Sequence, residues 1–268
     1  MEKILNALMS TYIGSDTLTL YSSPLATFIF MFLIIYLFSY FKLFSSWDSK
    51  HRADASSSFT SLAHGTPAVV LSVFAILQDS ESQSQSQLSV FTSPNTMFQN
   101  MVLDFSIAYF VIDLLHYMVF LPTDILFIAH HLATLYVFAT CRFVVCHGSV
   151  PILVLLILAE ITSACQNTWS LAGYRKSDFP AARRLHQFLS PLFYGFYTVV
   201  RGVLGPLFVY RMGVFYTSGA ADGAVPRWAW ISWMCVIVCA VLLSILWITD
   251  KWIAFYKSNH KMKNMIQN

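Results

Sequence analysis

His130 and His131 are adjacent and lie about two turns inside an apolar run long enough to cross a bilayer. An imidazole in hydrocarbon loses water that it must replace with protein partners, so an ionisable group inside a span marks a site by default. Neighbouring apolar segments carry Asp113, His116, Glu160, Asn167 and Arg201. Histidine exchanges protons near neutral pH, and a carboxylate beside it fixes its tautomer. With Asp113 or His116 orienting it, His130 or His131 is competent to take a proton from an amine or hydroxyl attacking a thioester. That is general base chemistry inside a membrane.

The rest of the chain must position these groups. It is 57% hydrophobic, 16% aromatic and 11% charged, too poor in charge to clothe a soluble domain. An all-α, polytopic helical bundle is expected. Crossing the hydrocarbon takes roughly 20 apolar residues as helix. Seven segments qualify, at about 24–44, 62–78, 98–121, 124–146, 150–172, 188–210 and 228–250, the second being the shortest. The first twenty residues carry acids and no signal-peptide pattern, so the opening span serves as an uncleaved anchor. Residues 1–50 form an N-terminal region with that anchor, 51–257 a membrane domain of about six spans, and 258–268 a basic tail.

Cations sort to one side. Lys42, Lys50 and Arg52 follow the first segment, Arg175, Lys176, Arg183 and Arg184 the fifth, and Lys251, Lys257, Lys261 and Lys263 the seventh. The alternate loops are poor in cations. The positive-inside rule then places the C-terminus in the cytoplasm and the N-terminus in the lumen or outside. The SESQSQSQ stretch and the loop from Ser218 to Pro226 read as non-cytoplasmic connections. Leu121-Pro122-Thr123-Asp124 is so short a turn that the third and fourth spans must be antiparallel neighbours.

Rise per residue places His116 roughly 9 Å, and His130 and His131 roughly 10–12 Å, below the cytoplasmic boundary. Asn167 and Tyr194 fall at similar depth, so four spans put polar groups on one level. Asp113, His116 and Tyr117 share a face, as do Glu160, Ser163, Ala164 and Asn167, and Tyr194, Tyr197, Thr198 and Arg201. Small-and-polar stripes of this kind let helices approach in lipid. Glu160 and Arg201 fall near the bilayer middle, where an unpaired charge costs several kcal/mol, and are expected to pair. His130 is turned about 100° from His131, so both line one pocket only if its midline falls between them. Helix–helix hydrogen bonding is the competing role for each of these residues.

No metal site is expected. The chain lacks HExxH and the HxxxH and HxxHH boxes of membrane di-iron lipid oxidases. Cys141, Cys146, Cys165, Cys235 and Cys239 show no CxxC spacing and read as packing residues.

The stretch DLLHYMVFLPTDILFIAHHLATLYVF, beginning at Asp113, resembles the TLC domain family, which includes the ceramide synthases. His64-Gly65, the E-x6-N-x-W of Glu160, Asn167 and Trp169, and the R-x4-P of Arg201 and Pro206 extend the likeness from about His64 to Tyr256. The resemblance implies an endoplasmic reticulum or related endomembrane location and a role in lipid homeostasis. In the synthases the histidine pair, here His130 and His131, serves acyl transfer from acyl-CoA to a sphingoid amine. The synthases also carry paired aspartates in the next span, whereas PILVLLILAEITSACQN holds only Glu160. This chain is closer to the small, plain branch of the family.

Three readings follow. The first is a membrane protein that binds an acyl lipid in a polar pocket, with Glu160, Asn167, Tyr194, Tyr197 and Arg201 lining it. The second is an acyl-CoA-dependent N- or O-acyltransferase with His130, His131, Asp113 and His116 at its centre. The third is a transporter, which neither a repeat nor a broken helix supports. Membrane lipids are the expected partners, with acyl-CoA as a candidate substrate. No resident cofactor and no nucleic acid are expected, and a homodimer is left open.

Overall fold

The computed structural model describes residues 24–82 and 89–267, and the described residues form helices with one isolated bridge, Pro94 to His147. In chain order they are α1 (Pro24–Phe38), α2 (Ser49–Ser82), α3 (Met97–Phe120), α4 (Ile125–Ala139), α5 (Ser149–Glu160), α6 (Ser163–Tyr174), α7 (Pro180–Val199), α8 (Gly205–Thr217) and α9 (Arg227–Gln267). Three π-helical turns extend them: Ser39–Leu43 after α1, Thr140–Val145 after α4, and Val200–Leu204 joining α7 to α8. Among the described residues seven helical units are long and apolar enough to cross a membrane, α5–α6 and α7–α8 each acting as one. The polytopic bundle is thus as composition requires.

Helix α3 is the centre. Its start is fixed by a capping box: Thr96 Oγ1 accepts from the Gln99 amide at 3.2 Å, and Gln99 Oε1 accepts from the Thr96 amide at 2.9 Å. From Val102 to Phe110 every residue is buried, because α1, α2 and α4 all pack on it. The short turn to α4 closes as expected, with the Asp124 amide donating to the Leu121 carbonyl at 2.9 Å and the Asp124 carboxylate capping Phe127.

The second span departs from the sequence reading. It runs over His51–Gln78 rather than beginning near residue 62. Its first half is rich in serine, and an apolar window stops short of it. Those hydroxyls are satisfied internally: Ser56 donates to the Arg52 carbonyl and Thr60 to the Ser56 carbonyl, each at 2.8 Å. Thus Ser56 and Thr60 are buried as readily as Ala53 and Ala55. The sixth crossing is also longer, Pro180–Thr217. The fifth is interrupted by a turn at Ile161–Thr162, so the expectation of unbroken helices needs correction there. The cause is local: α5 ends at Glu160, and α6 starts afresh from Ser163.

Gly65 sets how closely α2 meets that interruption. A Cβ built on it would lie 2.7 Å from Ser163 Cβ and 2.9 Å from Glu160 Oε2. Exchanging Gly for Ala inside a helix would on propensity alone stabilise by about 1 kcal/mol. The crowding here costs about 1–3 kcal/mol and should win. Gly65→Ala is therefore expected to lower the thermal midpoint of the detergent-solubilised protein, and Ser163→Gly to restore part of the loss. A midpoint that rises in Gly65→Ala would refute the close packing.

Candidate functional site

Three helices converge on Asp113. From α3 itself, Tyr109 donates its hydroxyl to Oδ2 at 3.3 Å. From α2, Ser57 donates to Oδ1 at 2.6 Å. From α4, Nε2 of His131 meets Oδ2 at 2.8 Å. The four side chains are almost wholly removed from the surface. Phe110 and Tyr117 close around the His131 ring, at centroid distances of 5.5 and 5.2 Å.

Hydrogen-bond chemistry constrains the proton positions. Nδ1 of His131 lies 2.8 Å from the Phe127 carbonyl, which can only accept. Nδ1 therefore carries a hydrogen. The contact to Asp113 is then either imidazolium with carboxylate or neutral imidazole with carboxylic acid. In both forms Nε2 is committed to Asp113. His131 has no ring nitrogen left for a substrate.

His130 differs. Its ring is half-buried and stands edge-on to His131, 5.7 Å between centroids at 88°. Its backbone carbonyl accepts from Thr134 at 2.9 Å, but among the described residues none bonds to its ring nitrogens. Around it α4 is covered little, with Leu126 and Leu132 more than half exposed. The roughly 100° between successive helical side chains turns one histidine into the core and leaves the other at its edge.

The remaining expected residues divide among three places. His116 is buried and shares a hydrogen bond with the Tyr36 hydroxyl on α1 at 2.9 Å, stacking on Phe120. It faces α1, not His130. Asn167 donates to Ser61 at 2.9 Å and to the Ser163 carbonyl at 2.9 Å, which ties α6 to α2. Tyr194 and Tyr197 enter a separate apolar cluster with Phe193 and Ile248, against Trp169 and Trp247. The chain does not gather all these groups round one chamber.

The expected Glu160–Arg201 ion pair does not form. Arg201 sits in the π-helical turn, its guanidinium donating to the carbonyl of Ala159 and lying 5.0 Å from the centre of the Tyr197 ring. Because α5 stops at Glu160, its last carbonyls lose their helical partners and accept this cation instead. Glu160 Oε2 lies 3.9 Å from Nδ1 of His64.

His64 belongs to the centre and was not among the expected site residues. Wholly buried, it stacks on Tyr109 at 4.0 Å and 9°, and Nε2 lies 3.2 Å from the Ser106 hydroxyl. Glu160, His64, Tyr109, Asp113 and His131 thus form one contiguous polar seam across four spans. Ser57, Ser61 and His64 recur at i, i+4 and i+7, a helical stripe that points to this face. Starting the span near residue 62 cut that stripe to a single residue. Among the described residues no three His, Cys, Asp or Glu side chains are grouped to hold a metal ion.

Removing Asp113 would strand three partners at once. Asp113→Ala is expected to cost about 3–5 kcal/mol of unfolding free energy, as for loss of one member of a buried pair. Ser57→Ala, which deletes one donor, should cost about 1 kcal/mol. Chemical denaturation in detergent would measure both, and equal losses would contradict the central place given to Asp113.

No solved structure matches the chain. A protein of Arabidopsis thaliana described as TLC domain-containing is 52% identical over 242 residues, covering 89% of this chain and 92% of the relative. The family pattern described as TLC domain matches residues 54–252, a stretch that includes His64, the Asp113 centre, both histidines of α4 and Arg201. On both grounds the chain is a member of the TLC domain family.

Proposed function

We propose that this protein binds an acyl lipid within an endomembrane such as the endoplasmic reticulum and thereby acts in lipid homeostasis. Its N-terminus would be lumenal and its C-terminus cytoplasmic. The observation that carries the reading is His130: an imidazole at membrane depth, half-buried, with no hydrogen bond to its ring among the described residues. A polar group in hydrocarbon needs a partner, and a lipid head carrying a hydroxyl, amide or ester supplies one. Leu126 and Leu132, exposed on the same helix, offer an apolar surface for its chain. Asp113 holds His131, and His131 holds the adjoining ring in place.

A second reading is supported by the same His131–Asp113 contact. A fixed ring beside a free one suits acyl transfer from acyl-CoA. His130 would take the proton of an amine or hydroxyl as its heteroatom bonds to the thioester carbonyl carbon. The carbon–sulfur bond then breaks, and the departing thiolate receives that proton, giving an amide or ester and free CoA thiol. His131 and Asp113 would act here as positioning residues.

The readings separate in one experiment. Wild type and His130→Ala are expressed in lipid-depleted microsomes with labelled acyl-CoA and a panel of amines and alcohols. Binding alone predicts no acylated product, together with co-purified lipid that falls about tenfold in His130→Ala, the equivalent of one buried hydrogen bond. A new acylated lipid absent from His130→Ala would establish the transferase. Solute flux across sealed vesicles that persists in His130→Ala would overturn both.

A further inference from the structure

A second polar site lies at the opposite end of α3. Asp104 and Asp113 share that helix, roughly 13 Å apart along its axis. A cavity of about 930 Å³ opens there, walled by Met97, Phe98 and Met101 and floored by Asn100, Asp104 and Arg142. Its volume is in the range of pockets that take whole small molecules, about 300–1,000 Å³. It is independent of the His130 centre and of the function proposed for it.

The floor is built with unequal exposure. Asp104 is wholly buried and accepts from Nε and Nη2 of Arg142 at 3.0 and 3.3 Å. Arg142 keeps a quarter of its side chain exposed. A guanidinium has five N–H donors, of which Asp104 takes two. Nη1 donates to none of the described residues. The π-helical turn Thr140–Val145 holds the group in place, with the Phe143 ring 4.9 Å beneath it.

We infer that this cavity binds the phosphodiester of a membrane phospholipid, with Arg142 donating to its oxygens. The Arg fork is the side chain best matched to phosphate oxygens. Asp104 cancels the formal charge of Arg142, so the site selects acceptor oxygens rather than net negative charge, and a zwitterionic phosphatidylcholine suffices. The methionine and phenylalanine side chains favour an occupant with an apolar portion over free phosphate. Met97, 89% exposed at the first residue of α3, stands at the end of its span, on the boundary side of the cavity. Arg142 lies three residues from the end of its span, Ile125–Val145, close to headgroup level.

The test uses full-length protein in detergent with a phosphatidylcholine carrying a photoreactive group near its glycerol, followed by peptide mapping. Labelling of the peptide containing Met97 to Asp104 is measured relative to that containing Leu242 to Leu246, an exposed apolar stretch of α9 that reports non-specific lipid contact. Arg142→Gln should lower the ratio at least fivefold. Met101→Trp fills the cavity while leaving the Asp104–Arg142 pair intact, and should do the same. Excess unlabelled phosphatidylcholine should compete, whereas glycerophosphocholine and diacylglycerol should not. An unaltered ratio in Met101→Trp overturns the site, competition by glycerophosphocholine overturns the lipid, and equal competition by diacylglycerol overturns phosphate recognition.

Discussion

A polar side chain that enters hydrocarbon gives up water and must find its replacement in the protein. Asp113 is where that demand is greatest, and the packing of α2, α3 and α4 follows from it. Ser57, Tyr109 and His131 each bring one donor or ring nitrogen to a single carboxyl group. Lipid offers no hydrophobic drive for helices to associate, so interhelical hydrogen bonds of this kind and close contact of small residues hold the bundle. The Asn167–Ser61 bond and the bare Gly65 backbone do the same between α2 and the fifth crossing.

The seam of Glu160, His64, Tyr109, Asp113 and His131 has a consequence for chemistry. His64 stacks on Tyr109, and Tyr109 and His131 hydrogen-bond to Asp113, while Glu160 approaches His64 at 3.9 Å. At its end His130 leaves the core, and among the described residues none bonds to its ring. A histidine pair thus divides labour by helical geometry: one ring is held and the other is presented. The π-helical turns add a comparable device elsewhere, since Lys42, Arg142 and Arg201 each sit in one. For Arg142 and Arg201 the turn accompanies a bond to a group deep in the bundle, Asp104 or the Ala159 carbonyl.

Legibility followed the type of signal. The proximity of α3 and α4 was readable because four residues of turn permit no other arrangement, and with it the approach of Asp113 to an imidazole. His64 and Ser57 were hidden by a hydropathy window that treats serine as a mark against a span, although a serine bonded to its own helix costs the bilayer little. Glu160 and Arg201 were matched on depth alone. Depth says nothing of azimuth, and the turn at Ile161–Thr162 with the π-turn at Arg201 sent the two side chains to different partners. Tyr194 shared the level of the histidines, but together with Tyr197 it packs with Ile248 and Trp247 of α9.

Composition and hydrophobic run length by themselves determined a seven-crossing helical protein, because the bilayer accepts few backbone solutions. The DLLH and HH segments on either side of a four-residue turn likewise determined that a carboxylate and an imidazole would lie close. Which of two adjacent histidines is spent, which carboxylate stands beside which cation, and where a cavity remains were decided only in the tertiary structure. Those outcomes depend on helix rotation and on interruptions of the helical hydrogen-bond ladder, and both are settled by long-range packing that no local pattern encodes.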